Sequence, residues 1–299
     1  MPVTFDGLVA LCCAASLAAE CPDKFCSIHF VRDSYRRLSD RDIHYDDSVK
    51  RWRSSNILTR GAGLIDIVNQ VTVMDHRNLS FIDEDIYPAK WRADKPLPLP
   101  YSWKAIRFLH EQNIDFRRLK SGVEAKRGIK SYLSKNRKNV SLSIRNADFR
   151  QSRDSNIQNW VELFNYLEHI GYHCIIVPDQ NTALSSQSTP FPTERVNWAA
   201  AIDLELRLAL YESCFGNLTW TGGHSSIMWL SHSSFLNFGS LNSSSFISDE
   251  QYWHSHGVST RENISCFLKN QIYDWKEASE VTLAHLIDKS CSYLENMDV

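Results

Sequence analysis

Hydrophobic and polar positions follow a regular rhythm from Val140 onward. Four short apolar runs have the length of strands: VSLSIR, YHCIIVPD, GNLTWTGG and FLNFGS. Between them lie longer segments with apolar residues three and four positions apart, which predicts helices in NIQNWVELFNYLEHIG, WAAAIDLELRLALYESC and SSIMWLSHSS. Strands that alternate with helices are typical of a parallel, doubly wound sheet.

The pattern is less regular before Val140. The elements predicted there are, in order, a strand VTF, a loop at Asp6–Gly7, a helix LVALCCAASLA, a strand KFCSIHFV, a short helix and a strand within LIDIVNQVTVM, and a helix SWKAIRFLHEQ. We therefore expect two domains, residues 1–120 and 121–299. Both are predicted to be α/β and Rossmann-like.

Composition narrows the class of protein. The chain has 299 residues, 43% of them hydrophobic, and a formal net charge of −2, which argues against nucleic acid as a partner. No apolar run approaches the roughly 20 residues of a transmembrane helix. No Lys or Arg precedes the first apolar run, and the eight cysteines form no C-x-x-C pair, so we expect a cytoplasmic location.

The segment TGGHSS follows a predicted strand and opens a predicted helix. Such a corner offers free N–H groups and a positive helix end to an anion. Arg145 and Asp179 end two other strands, so all three should meet at one edge of the sheet. The candidate binding residues are Asp179, Thr221, Gly222, Gly223, His224, Ser225 and Ser226. The alternatives are a capped turn, an Arg145 paired with Asp148 or Asp154, and an ordinary loop aspartate.

These pieces resemble the C-terminal half of GT-B glycosyltransferases. More narrowly, SLSIRN, IIVPDQ and DLELRLALYESCFGNLTWTGGHSS resemble the fucosyltransferase-like branch over residues 140–240, although Ser143 stands where that branch usually has a histidine. The resemblance implies two Rossmann-like domains in a GT-B-like arrangement. It also implies inverting transfer of a hexosyl or fucosyl unit without metal or other cofactor.

The resemblance further implies partners and roles. The donor would be a nucleoside-diphosphate sugar, with GDP-sugars favoured, and the acceptor a glycan, a lipid-linked glycan or a protein. Arg145 would stabilise the leaving diphosphate, while Asp179 and residues 221–226 would bind the donor. Asp6, in a loop facing the cleft, would be the catalytic base.

Two other interpretations stay open. LSFIDEDIYPAKW resembles the D-x-D motif of GT-A glycosyltransferases, in which Asp83 and Asp85 would hold a divalent metal on the donor. A second D-x-D, Asp40 to Asp42, shows how readily the pattern arises, and the clearest strand–helix alternation comes after both motifs. The third possibility is a non-catalytic relative that binds a sugar or nucleotide.

Overall fold

The fold is α/β with parallel sheets, as expected. A computed structural model describes residues 5–20, 26–32, 46–75, 102–146, 151–185, 188–245 and 248–297. The chain divides into two compact units, Met1–Lys120 and Ser121–Val299. Among the residues described, no helix is both long and apolar enough to cross a membrane.

The first unit contains a two-stranded parallel sheet and several helices. Strand β1 is Cys26–Arg32 and strand β2 is Val68–Asp75. The helices are α1 (Phe5–Ala19), α2 (Asp47–Arg53), α3 (Arg60–Ala62) and α4 (Ser102–Glu111). A π-helical turn, Ser54–Thr59, joins α2 to α3 into one helical stretch. The strands predicted in KFCSIHFV and LIDIVNQVTVM and the helix in SWKAIRFLHEQ are therefore confirmed.

The prediction of a loop at Asp6–Gly7 is wrong, because both residues lie in the first turns of α1. Gly7 is buried, and so are Leu8, Val9, Cys12 and Cys13, so this helix has apolar residues on several sides. A helix without a clear polar face lacks the periodicity that would have marked its first turn. The short helix expected within LIDIVNQVTVM is also absent, because residues 63–67 form turns around Ile65, which makes an isolated antiparallel bridge to Leu119.

The second unit is built on a five-stranded sheet in which every neighbouring pair is parallel. The strands are β3 (Asn139–Ser143), β4 (His173–Val177), β5 (Gly216–Trp220), β6 (Phe235–Phe238) and β7 (Gln271–Tyr273). Their order across the sheet is β4-β3-β5-β6-β7. The strands β3 to β6 are almost wholly buried. Their polar side chains are buried too and pair with each other, as where the Ser141 hydroxyl donates to Oδ1 of Asn217 at 2.5 Å.

Eight α-helices surround this sheet in the described part of the unit. They are α5 (Val123–Ile129), α6 (Ile157–His169), α7 (Gln180–Leu184), α8 (Trp198–Ile202), α9 (Leu204–Ser213), α10 (Ser225–Trp229), α11 (Glu250–Ser255) and α12 (Leu283–Asn296). Single 3₁₀ turns lie at Lys130–Tyr132, Gln151–Arg153, Thr193–Arg195 and Ala278–Glu280. Apolar side chains of α6 and α12 share one core cluster with the sheet.

Two helices differ from the predicted ones. The single helix expected in WAAAIDLELRLALYESC is two helices, α8 and α9, divided at Asp203. The carboxylate of Asp203 accepts hydrogen bonds from the N–H groups of Glu205 and Leu206, both at 2.9 Å, and so starts a new helix. Helix α10 spans five residues, which is shorter than the predicted SSIMWLSHSS.

Candidate functional site

The topology of the second unit marks one place on the sheet edge. From β3 the chain crosses to β4 on one side, and from β4 it crosses back over β3 to β5 on the other. Ligands of doubly wound sheets bind at the carboxyl ends of the strands where the crossovers diverge in this way. Here that point lies between β3 and β5, the strands that precede Arg145 and residues 221–226.

Arg145 lies two residues beyond the end of β3 and is 9% exposed. Its Nε is 3.2 Å from Oδ1 of Asp154, so it makes one of the two ion pairs considered from the sequence. Asp148, the other candidate partner, lies outside the described residues. Both the N–H and the hydroxyl of Ser155 donate to the Arg145 carbonyl, at 3.1 and 2.7 Å, which fixes the backbone from which the guanidinium extends.

The loop after β5 uses most of its hydroxyl groups to hold its own shape. Thr221 donates both its N–H and its hydroxyl to the Phe238 carbonyl, at 2.8 and 2.9 Å. The hydroxyl of Ser225 donates to the Gly222 carbonyl at 2.6 Å. Ser226 is buried as well. These contacts make residues 221–226 a rigid corner between β5 and α10.

Three N–H groups of this corner remain available. The N–H groups of Thr221, Ser225 and Ser226 bond to backbone carbonyls, whereas those of Gly222, Gly223 and His224 meet no acceptor among the described residues. Helix α10 has only five residues, so its dipole is smaller than the sequence suggested. Positive charge at this edge has to come from side chains.

His224 occupies the centre of the corner. A Cβ atom at Gly222 would lie 2.7 Å from the imidazole Cε1, so residue 222 has to be glycine for the ring to fold over the loop. The ring Nε2 lies 3.0 Å from the Thr219 hydroxyl. Burial lowers the pKa of His224 well below its usual value, and the charges of Arg207 and Arg145 lower it further, so the imidazole is uncharged.

Arg207 is a residue that the sequence reasoning missed. It lies in α9, is 7% exposed, and donates from Nε to the Ala200 carbonyl at 2.7 Å and from Nη2 to the Ala201 carbonyl at 2.9 Å. Within the described residues, no carboxylate lies within 4.0 Å of its guanidinium. A buried charge without an ion-pair partner is costly, which marks the position as a candidate anion site.

The signal for Arg207 was present in the helical periodicity. Three residues of α9 near Arg207 are buried: Leu204 three positions before it, Leu208 one position after it and Tyr211 four positions after it. Arg207 thus falls on the buried face of its helix. An arginine on an otherwise apolar face was the feature to look for.

Asp179 begins α7, where its carboxylate accepts a hydrogen bond from the N–H of Asn181 at 3.0 Å. Burial raises the pKa of Asp179, while that hydrogen bond and the charges of Arg145 and Arg207 act in the opposite direction. The carboxylate is thus within electrostatic reach of both arginines. Its binding role stays a prediction.

The sheet edge therefore gathers Arg145, Asp179 and residues 221–226, together with Arg207. Asp6 belongs to the other unit, where it lies in the first turn of α1. Asp83 and Asp85 lie outside the described residues, as do Asp40 and Asp42.

Comparisons with known proteins bear on the fold. The sequence matches no protein-family model and no curated protein. The structure is similar to that of the E. coli ADP-heptose lipopolysaccharide heptosyltransferase II, with a TM-score of 0.52 and 11% identity, over 98% of this chain and 96% of that one. A glycosyltransferase of family 9 from Veillonella parvula aligns with a TM-score of 0.42 and 11% identity, over 95% and 78% of the two chains. The chain therefore shares the fold of the heptosyltransferase.

Proposed function

We propose that this protein is a glycosyltransferase that uses a nucleoside-diphosphate sugar as donor. The main support for the proposal is a pair of buried arginines, Arg145 and Arg207, at the sheet edge where the two crossovers from β3 and β4 diverge. The charges of both arginines lower the pKa of the uncharged His224. The fold shared with a heptosyltransferase supports the same class of reaction. The acceptor would be a glycan, a lipid-linked glycan or a protein.

The proposed roles of these residues follow from where negative charge develops during the transfer. An acceptor hydroxyl attacks the anomeric carbon, the bond from that carbon to the diphosphate oxygen breaks, and negative charge grows on the leaving diphosphate. Two guanidinium groups held in place before the reaction stabilise that charge. The N–H groups of Gly222, Gly223 and His224 would add neutral donors.

Two finer parts of the proposal concern the proton and the metal. In a single displacement with inversion, the acceptor hydroxyl loses its proton to a base, and Asp6 is the proposed base. The arginines would take the place of a divalent metal in neutralising the diphosphate. The fucosyl-type transfer and the preference for GDP belong to the proposal in the same way.

Isothermal titration calorimetry tests the binding half. We expect the protein to bind inorganic pyrophosphate and at least one of GDP, UDP and ADP, with affinities that EDTA leaves unchanged. Absence of binding by all four compounds would refute the proposed function. An affinity that EDTA abolishes and Mn²⁺ restores would favour the metal-dependent alternative with Asp83 and Asp85.

An assay of nucleoside-diphosphate release tests the catalytic half. The nucleotide sugars that bind are incubated with candidate acceptors, and we expect release of the diphosphate. Tight binding with no release, by hydrolysis or by transfer, would instead identify a non-catalytic relative.

A further inference from the structure

A cavity of about 310 Å³ opens beside Arg145 in the second unit. Its walls come from the loop after β3, the first turns of α6, the last residue of β5, the segments that follow β6 and β7, and the first turn of α12. It therefore lies at the same carboxyl edge of the sheet as the arginines. The carboxylate of Asp154 lines the cavity and is also 3.2 Å from the Arg145 guanidinium, so the two places adjoin.

The chemistry of the walls excludes a second phosphate site. Two carboxylates, those of Asp154 and Glu277, line the cavity, and its described lining contains no lysine or arginine. Glu277 would repel a phosphate there, whereas the charge of Asp154 is already offset by Arg145. Three asparagines, several serines and Trp220 also line the cavity, together with the apolar residues Trp160, Ala278, Val281 and Leu286. Hydrogen-bonding groups around an indole suit a neutral ring with many hydroxyl groups.

The walls are held in place before any ligand arrives. Trp220 donates from Nε1 to the Arg153 carbonyl at 2.7 Å, and a Cβ atom at Gly239 would lie 2.6 Å from its indole. The carboxylate oxygens of Glu277 accept from the N–H of Ser243 at 3.0 and 3.2 Å. Binding to such a site requires little rearrangement of side chains.

The size of the cavity limits what it can take. A volume of about 310 Å³ lies at the lower end of the range for ligand sites, about 300–1,000 Å³. One sugar ring fits this volume, but a complete nucleotide sugar does not. The rest of the donor would have to extend towards Arg145.

We propose that this cavity is the subsite for the sugar ring of the donor, with the diphosphate at Arg145 and Arg207. The inference rests on the proposed function, because it assigns one part of the donor to a place beside the anion site. Glu277 and Asn159 would bind the sugar hydroxyls, and Trp220 would pack against the ring.

Ser279→Trp tests the assignment. Ser279 lines the cavity, yet it is exposed and lies in the 3₁₀ turn Ala278–Glu280, so we expect a larger side chain there to occupy the cavity without displacing a core residue. Ser131→Trp is the matched control, because Ser131 is also exposed and lies in the 3₁₀ turn Lys130–Tyr132, outside the cavity lining. A second variant, Glu277→Gln, removes a charge and keeps the size.

Calorimetry with two sets of compounds separates the outcomes. The first set is pyrophosphate, GDP, UDP and ADP, and the second is GDP-mannose, GDP-fucose, UDP-glucose and ADP-glucose. In Ser279→Trp we expect at least a tenfold loss of affinity for each nucleotide sugar that binds the wild type. Pyrophosphate and the matching nucleoside diphosphate should stay within threefold of the wild-type affinity. Glu277→Gln should give the same pattern, and Ser131→Trp should change none of these affinities.

Three results would overturn the assignment while leaving the proposed function intact. The first is a wild type that binds pyrophosphate but none of the four nucleotide sugars. The second is unchanged nucleotide-sugar affinity in folded Ser279→Trp and in Glu277→Gln. The third is an equal loss for the nucleoside diphosphate, which would place the nucleoside in the cavity. A wild type that binds neither pyrophosphate nor any nucleotide refutes the proposed function itself.

Discussion

Replacement of Arg145 by alanine should cost most of the affinity for pyrophosphate. One hydrogen bond to a charged group contributes about 1.5–3 kcal/mol, and a guanidinium fork can make two to a diphosphate. The Arg145 side chain is 11% exposed and shares its charge with Asp154, so water and the carboxylate reduce the gain. We therefore expect a loss near the lower limit for two bonds, about 3 kcal/mol or roughly 150-fold in Kd.

Strand β3 supplies the control. Arg137 precedes the strand as Arg145 follows it, and its Nη2 is 2.9 Å from the carboxylate of Glu168. Both alanine variants therefore lose an ion pair of the same unit, but only Arg145 lies at the proposed anion site. Thermal melting should show that both variants are folded, and calorimetry should show near-wild-type pyrophosphate binding for Arg137→Ala alone.

Arg145→Lys adds a test of geometry. A lysine keeps the charge and loses the planar fork, so it should recover only about half of the lost binding free energy. A folded Arg145→Ala protein that binds pyrophosphate within threefold of the wild type would refute the reasoning. Full recovery with lysine would show that charge alone matters and that no fork contacts the anion.

Three further predictions concern the same corner. Arg207→Met should weaken pyrophosphate binding by about 1.5–3 kcal/mol, or roughly 10- to 150-fold, by calorimetry, and unchanged affinity would remove Arg207 from the site. An unfolded histidine takes up a proton near pH 6.5, whereas burial and both arginines hold the pKa of folded His224 well below its usual value. As the pH is lowered below about 6.5, the free energy of unfolding should thus decrease by at most about 1.4 kcal/mol per pH unit, and it should decrease less steeply in His224→Gln. Equal slopes for the two proteins in urea titrations would contradict this prediction. Gly222→Ala should destabilise the protein by about 1–3 kcal/mol and weaken pyrophosphate binding, because its Cβ would lie 2.7 Å from the imidazole. Gly63→Ala is the control, because its Cβ would meet only an ordinary contact at 3.4 Å. Equal melting temperatures for the two variants would contradict the prediction.

The second unit could be predicted from the sequence because local signals and tertiary demands agree there. Asn156 accepts hydrogen bonds from the N–H groups of Gln158 and Asn159 and so begins α6, and Gly171 follows the helix with a φ of +104°. Both residues are typical helix boundaries. Once the strands are placed, the topology puts Arg145 and residues 221–226 at neighbouring strand ends.

The structure of the first unit could be predicted only in part, because the sequence at the start of α1 does not mark where that helix begins. Asp6 and Gly7 have the composition of a turn, and Gly is a poor helix former. Packing overrides that preference, since Gly7 is buried within α1. The role proposed for Asp6 therefore requires a carboxylate in the first turn of a helix and not in a loop.

The most informative error is the division of one predicted helix at Asp203, because it explains how Arg207 comes to be buried. A continuous helix would have used the carbonyls of Ala200 and Ala201 for its own backbone hydrogen bonds. The break at Asp203 leaves these carbonyls at the end of α8, and the Arg207 guanidinium binds both. Two carbonyls hold the group but do not neutralise it, since a dipole offsets only part of a full charge. Periodicity alone could not reveal this arrangement, because both halves of the segment are apolar. The break thus fixes a cation in the interior, within electrostatic reach of His224 and Asp179, and an anionic ligand in direct contact with it would offset more of the cost of its burial than the distant carboxylate does.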